Sequence, residues 1–157
     1  MKIGIISDTH RNIKSIDKAI PYLKECDLII HAGDNIDDAE YIYYATDVLV
    51  KCVKGNCDLY NIDEPYELTF LEKDKKFFLC HGHQYDVKWG FDSLLKIAKD
   101  NNIDIVVYGH THIPVYKKID NIIFINPGST TYPRGGSECG FGILTLDNDI
   151  SYKEIKI

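Results

Sequence analysis

At 157 residues, 45% of them hydrophobic and 27% charged, the chain has the composition of one soluble globular domain with a substantial core. No apolar run approaches a membrane span and residues 1–7, MKIGIIS, are too short for a signal peptide, so a cytoplasmic location is expected. The net charge of −6 opposes general nucleic-acid binding through a basic surface, although bound divalent ions can reverse the field of a local pocket. The five cysteines, Cys26, Cys52, Cys57, Cys80 and Cys139, form no C-x-x-C pair, which argues against a disulfide framework and a structural zinc knuckle. Most are expected to be reduced, buried thiols that pack as small hydrophobes.

KIGII reads as a first buried strand ending at Ser7-Asp8. Ile13, Ile16, Ile20 and Leu23 fall near helical spacing and predict a helix from Asn12, its N-cap, to Glu25. Pro21 predicts a kink or an early break in it. CDLIIHAGD is a second strand running into a Gly-Asp turn, Asp37 to Thr46 a weaker helix, and VLVKCVKGN a third strand. PYELTFL and KKFFLC read as a hairpin joined by the charged turn EKDK. Phe91 to Asn101 is a helix with Leu94, Leu95, Ile97 and Ala98 on its inner face, and IDIVVYGHTH is a strand with its loop. The last third is strand-rich: VYKKI, IIFIN, FGILTL and ISYKEIKI, with DND as the final turn. Helices alternate with strands early and antiparallel strands dominate late, which predicts two packed sheets with helices on the outer faces.

Ligand-type side chains stand immediately after successive strands. Asp8 and His10 follow the first, Asp34 the second and Asn56 the third; His81 and His83 follow KKFFLC, and His110 and His112 follow IDIVVY. The carboxyl ends of strands are where open α/β sheets bind ligands. In GHTH the two imidazoles are residues i and i+2, so an extended segment sets them on one side, about 6–7 Å apart. Such a pair grips one metal or flanks two, and taken alone it is equally a pair of surface loop histidines. Oxygen and imidazole donors without thiolates suit Mn, Fe, Mg or Zn. Seven good donors exceed the roughly four that one tetrahedral zinc needs. Two metals sharing a carboxylate use them naturally, with Asp34 the candidate bridge.

DTH, GDN, GNCD, CHGH and GHTH, in that order, resemble the motifs of the calcineurin-like metallophosphoesterase superfamily. Within it, the small size and NPGSTTYPRGG look like the YfcE-type phosphodiesterases, relatives of the retromer subunit that shares their fold. The resemblance runs from Asp8 to Gly136 and implies an α/β fold, a four-layer α/β/β/α sandwich of two mixed sheets with helices on the outer faces. One metallophosphoesterase domain over 1–157 is expected. The resemblance implies two divalent metal ions, Mn foremost with Ni, Fe, Zn or Mg as others. It places Asp8, His10 and His112 on one ion and Asn56, His81 and His110 on the other, with Asp34 between them.

The activity so implied is hydrolysis of a small phosphodiester by a hydroxide bridging the metals. Asp34, Asn56, Asp58, His83 and Arg134 are the candidate catalytic residues. His83 stands between phosphate contact and support of the ligands. Arg11 and Arg134 stand between phosphate contact and ordinary surface arginines, with the YPRGG match favouring Arg134. His31 is expected to be a buried structural or supporting histidine and Cys80 a core residue. Cys57 departs from the broader pattern, where many members carry a histidine that donates a proton or touches phosphate. Asp58 either fills part of that role or only caps a turn. Two rival readings are a phosphomonoesterase or nucleotidase on the same scaffold, and a non-catalytic metal-binding interaction module like the retromer subunit. The filled ligand positions favour an enzyme, and a small chain without a cap domain favours an open site suited to diesters. A homo-oligomer is compatible with the sequence.

Overall fold

The structure, a computed structural model that describes residues 1–60 and 63–157, runs as follows. In chain order it has β1 (Lys2–Ile6), α1 (Ile13–Leu23), β2 (Leu28–His31), α2 (Asp37–Thr46), β3 (Val50–Cys52), β4 (Glu67–Glu72) and β5 (Lys75–Cys80). There follow α3 (Asp92–Asp100), β6 (Ile105–Val107), β7 (Val115–Ile119), β8 (Ile122–Asn126), β9 (Gly140–Leu146) and β10 (Ile150–Lys156). Two mixed five-stranded sheets result, ordered β10-β9-β1-β2-β3 and β4-β5-β6-β8-β7. Among the described residues no helix is long and apolar enough to cross a membrane.

Alternation along the strands decides which layer each side chain joins. Ile3 and Ile5 point between the sheets, where they pack with Leu28, Ile30, Phe77, Leu79, Ile105 and Val107. Ile6 and Ile29 point the other way, onto Ile16, Ala19 and Leu23 of α1 and Ile42 of α2. In the second sheet Phe78, Val106 and Phe124 turn outward onto Leu94 and Ala98 of α3. The expected helix, sheet, sheet, helix order follows directly.

Strand direction positions the site. β1, β2 and β3 run parallel in one sheet, and β5, β6 and β8 in the other. The parallel strands of each sheet therefore end together, and their following loops gather at one edge. Of the antiparallel pairings, β4–β5, β7–β8 and β9–β10 join neighbours in the chain, whereas β9 reaches back to β1 from the far end of the sequence. Lys73-Asp74 joins β4 to β5 and Asp120-Asn121 joins β7 to β8, all four residues at positive φ, as a type I′ turn requires.

Some boundaries differ from expectation for identifiable reasons. Asn12 caps α1, its side chain accepting from the Ser15 N–H at 3.3 Å. Pro21 sits inside the last turn and the helix ends at Leu23, short of Glu25, because a proline so near the end forfeits only one late hydrogen bond. Ile13, counted to the inner face, is 39% exposed. β3 is far shorter than VLVKCVKGN because the chain turns away from β2 after Cys52, and the Lys54 N–H goes to the Pro65 carbonyl instead. All five cysteines are free, but only Cys26 and Cys80 are buried and Cys57 is exposed, correcting the expectation that most are buried.

The packing makes a stability test. Phe77 is fully buried between the sheets and stacks on Phe70 at 5.1 Å, whereas Leu71 is 69% exposed. Phe77→Ala is expected to cost about 3–5 kcal/mol, and Leu71→Ala less than about 0.5 kcal/mol. Urea denaturation checks both, and equal losses would contradict this layer assignment.

Candidate metal centre

The loops after the parallel strands are unusually strained. Asp8, His10, Arg11, Asp34, Asn35, His110 and His112 all have positive φ, between 48° and 71°. Each such non-glycine residue costs on the order of 1–3 kcal/mol and persists only where its surroundings over-determine it. Here the conformation folds each loop sharply back, so that side chains from different strands meet. Two glycines show how closely. A Cβ on Gly55 would lie 2.2 Å from Asp34 Oδ1, and one on Gly109 would lie 2.1 Å from Ser7 Oγ and 2.8 Å from Asp8 Oδ2.

The resulting cluster is compact. Asp8, His10, Asp34 and His112 each offer a ligand atom, all within 4.8 Å of one another. Asp8 Oδ1 lies 3.1 Å from His112 Nε2 and 3.9 Å from His81 Nε2. Asp34 Oδ1 lies 3.3 Å from His81 Nε2, and its Oδ2 lies 4.0 Å from His10 Nε2. His10 Nε2 and His112 Nε2 are 3.3 Å apart. The His110 ring stands 5.2 Å from that of His81, and the backbone N–H of His110 donates to Asp8 Oδ2 at 3.1 Å. The two imidazoles of GHTH therefore diverge, His112 toward Asp8 and His10, His110 toward His81.

Hydrogen bonds fix the rings in ligand orientation. His81 Nδ1 donates to the Ala32 carbonyl at 2.8 Å and His112 Nδ1 to the Tyr132 carbonyl at 2.6 Å. A carbonyl only accepts, so Nδ1 carries hydrogen and Nε2 faces the carboxylates. Despite the short distance to Asp34, His81 Nε2 lacks hydrogen-bond geometry. It and Asp8 Oδ1 are buried without a hydrogen-bond partner among the described residues. Leaving such an atom unsatisfied costs about 1–3 kcal/mol, more for a charged one. Oxygen and nitrogen lone pairs converging in this way fit a divalent cation.

Titration tells the same story. Burial pulls the His81 imidazole down, but the neighbouring Asp34 and Asp8 carboxylates outweigh it and raise its pKa. The adjacent Asp8 carboxylate raises His112. Burial would lift Asp34, yet His81 and the Cys57 N–H hold it well below the usual carboxylate range. His110 is pushed down to about 4 by burial, with His81 and Lys88 adding, so it is neutral at neutral pH. The two carboxylates thus favour positive charge beside them.

The remaining candidates fall at graded distances. Asn56 is exposed and its Nδ2 donates to the Cys57 thiol at 3.5 Å, while the Cys57 N–H donates to Asp34 Oδ1 at 3.0 Å. The Cys57 thiol donates to Asp34 Oδ2 at 3.3 Å and is pushed up to about 11 by burial and by Asp34. His83 is half-buried, 5.5 Å from the His81 ring and 6.1 Å from that of His110, and its Nδ1 has no hydrogen-bond partner among the described residues. Arg134 is exposed, its N–H donating to the His112 carbonyl at 3.1 Å, and its charge opposes protonation of His112. Arg11 pairs at 3.7 Å with the surface residue Asp37.

Asp58 stands differently from a proton donor. Its Oδ1 accepts from the Ile36 N–H at 2.8 Å and its Oδ2 from the Gly55 N–H at 2.7 Å, so the carboxylate clamps the Asp34 loop to the Asn56 loop. These are the contacts of the turn-capping option. His31 is buried and structural, as expected. Its Nδ1 accepts from the Gly33 N–H, and its Nε2 meets Thr9 Oγ1 at 3.0 Å, which donates to Asp38 at 2.6 Å. Several supports escaped the sequence reading: Ser7 Oγ donates to Asp8 Oδ2, Ser129 Oγ to the Asp8 carbonyl, Asn126 to the Gly109 carbonyl and Thr131 to the Thr9 carbonyl. One signal was available: IIFIN is followed by small polar residues, just where other strands are followed by ligands.

A family profile described as the calcineurin-like phosphoesterase superfamily domain matches residues 1–149. The probable metallophosphoesterase YsnB of Bacillus subtilis is 33% identical over 152 residues, covering 95% of this chain and 86% of that one. The phosphodiesterase YfcE of Escherichia coli is 38% identical over 109 residues, covering 64% of this chain and 54% of YfcE. The crystal structure of zinc-complexed Vps29 from Entamoeba histolytica superimposes with a TM-score of 0.78 over 99% of this chain and 98% of Vps29, at 20% identity, a likeness of fold alone.

The glycine before Asn56 gives the test of this geometry. Gly55→Ala drives a methyl group into Asp34 and is expected to weaken Mn²⁺ binding about 10–100-fold, the scale of losses on disturbing ligand support. Isothermal titration calorimetry checks it, and unchanged affinity would remove Asp34 from the metal site.

Proposed function

We propose a function from one premise: the chain belongs to the calcineurin-like phosphoesterase superfamily. It is a metal-dependent phosphoester hydrolase. Our reading is that it hydrolyses phosphodiesters, using two divalent ions. Asp8, His10 and His112 would hold one ion and Asn56, His81 and His110 the other, with Asp34 shared. The observation that carries this is a pair of buried atoms without a hydrogen-bond partner among the described residues, Asp8 Oδ1 and His81 Nε2, which lie 3.9 Å apart, with Asp34 Oδ1 3.3 Å from His81 Nε2. Manganese is the expected metal, and nickel, iron, zinc or magnesium suit the same donors. Such ions supply Lewis acidity toward the phosphoryl oxygens and lower the pKa of bound water from 15.7 toward about 7.

The chain's own groups complete the site. His83, whose Nδ1 has no hydrogen-bond partner among the described residues, and the cations of Arg134 and Lys88 near the cluster supply contacts for the non-reacting phosphate oxygens. Cys57 occupies the position nearest Asp34 from which a leaving group would take a proton. A thiol pushed up to about 11 gives that proton reluctantly, so good leaving groups are favoured. Free thiols throughout suit a reducing compartment, and we place the protein in the cytoplasm.

The direct test assays chelator-stripped protein on a nitrophenyl diester and a nitrophenyl monoester, with and without Mn²⁺. Activity is expected only with metal and mainly on the diester. A monoester preference would support the phosphatase reading, and metal binding without turnover the interaction module. Asp34→Asn is expected to lower kcat by at least about 10²-fold with an unchanged circular dichroism spectrum.

Cys57→His restores an acid at the departing group. A positioned acid contributes about 10²–10⁴-fold and an unoptimised one less. The variant is expected to raise kcat/KM for an alkyl diester relative to a nitrophenyl diester. An unchanged ratio would make Cys57 a packing residue only.

A further inference from the structure

Exposed tyrosines are frequent on this surface, so position rather than exposure distinguishes one from another. Two of them stand against the metal centre. Tyr132 is 59% exposed, yet its ring centroid lies 5.2 Å from that of His10, and its carbonyl is fixed by His112 Nδ1. Tyr66 is 45% exposed, its ring 6.0 Å from that of His83, and Lys54 Nζ stands 4.2 Å over its centroid. One ring thus borders the His10 end of the cluster and the other the His83 end.

Both rings are held before any ligand arrives. Tyr132 is anchored through its main chain and its contact with His10, and Tyr66 through Lys54. A preset ring binds a flat partner with little ordering cost. Tyrosine faces stack on nucleobases whatever the base, because every base presents a π-face. An aliphatic ester arm finds no such partner there. A long polyanion is opposed by the chain's charge of −6, which limits how many phosphates the surface tolerates.

Resting on the phosphodiesterase reading above, we propose that the substrate is a short nucleotide diester, with one nucleobase stacked on Tyr132 and the other on Tyr66. The phosphate between them lies over the carboxylates, and the two ester arms leave in the directions the rings border. Tyr132 and Tyr66 are specificity residues; neither takes part in bond breaking.

The test compares two substrates with similar alkoxide leaving groups, a 3′–5′ thymidine dinucleotide and glycerophosphoethanolamine, on full-length Mn²⁺-loaded protein. KM and calorimetric affinity are measured for the wild type, Y132A, Y132F and Y66A. The wild type is expected to prefer the dinucleotide. Y132A and Y66A should each reduce that preference about 10-fold, from the stacking lost per base, while Y132F keeps it because the ring remains. A wild type without preference, or alanine variants that shift both substrates equally, overturns the proposal. Hydrolysis of both diesters without preference leaves the hydrolase reading intact and removes this one. Tyrosine-dependent binding of the dinucleotide without turnover does the reverse.

Discussion

Two buried carboxylates, Asp8 and Asp34, within reach of one imidazole are the constraint on which the rest of this molecule depends. Neither aspartate is solvated, and two anions side by side in a poorly polarisable interior repel strongly. Positive charge between them relieves that repulsion, and His81 and His112, each with Nδ1 on a main-chain carbonyl, turn Nε2 toward the carboxylates. The strained loops, the close-fitting glycines and the supporting hydroxyls all hold that geometry against its own repulsion.

The strain is local and the restraint is distributed. Loops carrying several left-handed residues each lie at the ends of strands that are themselves fully packed, Ile3, Ile5 and Ile30 on one sheet, Leu79 and Val107 on the other. A rigid core is what lets a loop stay in a conformation it would abandon in isolation. Asp58 and Ser129 then fix loops to each other through backbone groups, and the ligand side chains add to that restraint, Asp34 through the Cys57 N–H and Asp8 through the His110 N–H.

Much of this was legible in the chain. Each donor follows an apolar run, and the ends of runs are readable from periodicity alone; hence Asp8, Asp34, His81 and His110 could be placed without coordinates. Helix α2 matches its expected bounds because its acidic first turn and its apolar Ala39 and Ile42 agree. Partnerships at long range were not legible. Asp58 looks like a catalytic carboxylate in GNCD, and only the fold brings the Ile36 N–H to it from 22 residues away. Ser129 reaches a carbonyl 121 residues distant, and a serine in a polar loop carries no mark of that. Pro21 gave a real signal, but its effect depended on where the helix was going to end anyway.

The two sheets share no backbone ladder; apart from side-chain packing they are joined at the loop edge. His81 to the Ala32 carbonyl, the His110 N–H to Asp8, Ser129 to the Asp8 carbonyl and Thr131 to the Thr9 carbonyl each run from one sheet to the other. Every one of these four hinges has a side chain as one partner, and in two of them that side chain belongs to a ligand residue, through His81 Nδ1 and Asp8 Oδ2. The opposite atom of each, His81 Nε2 and Asp8 Oδ1, faces the cluster. A substitution that removes either ligand therefore also unfastens one sheet from the other.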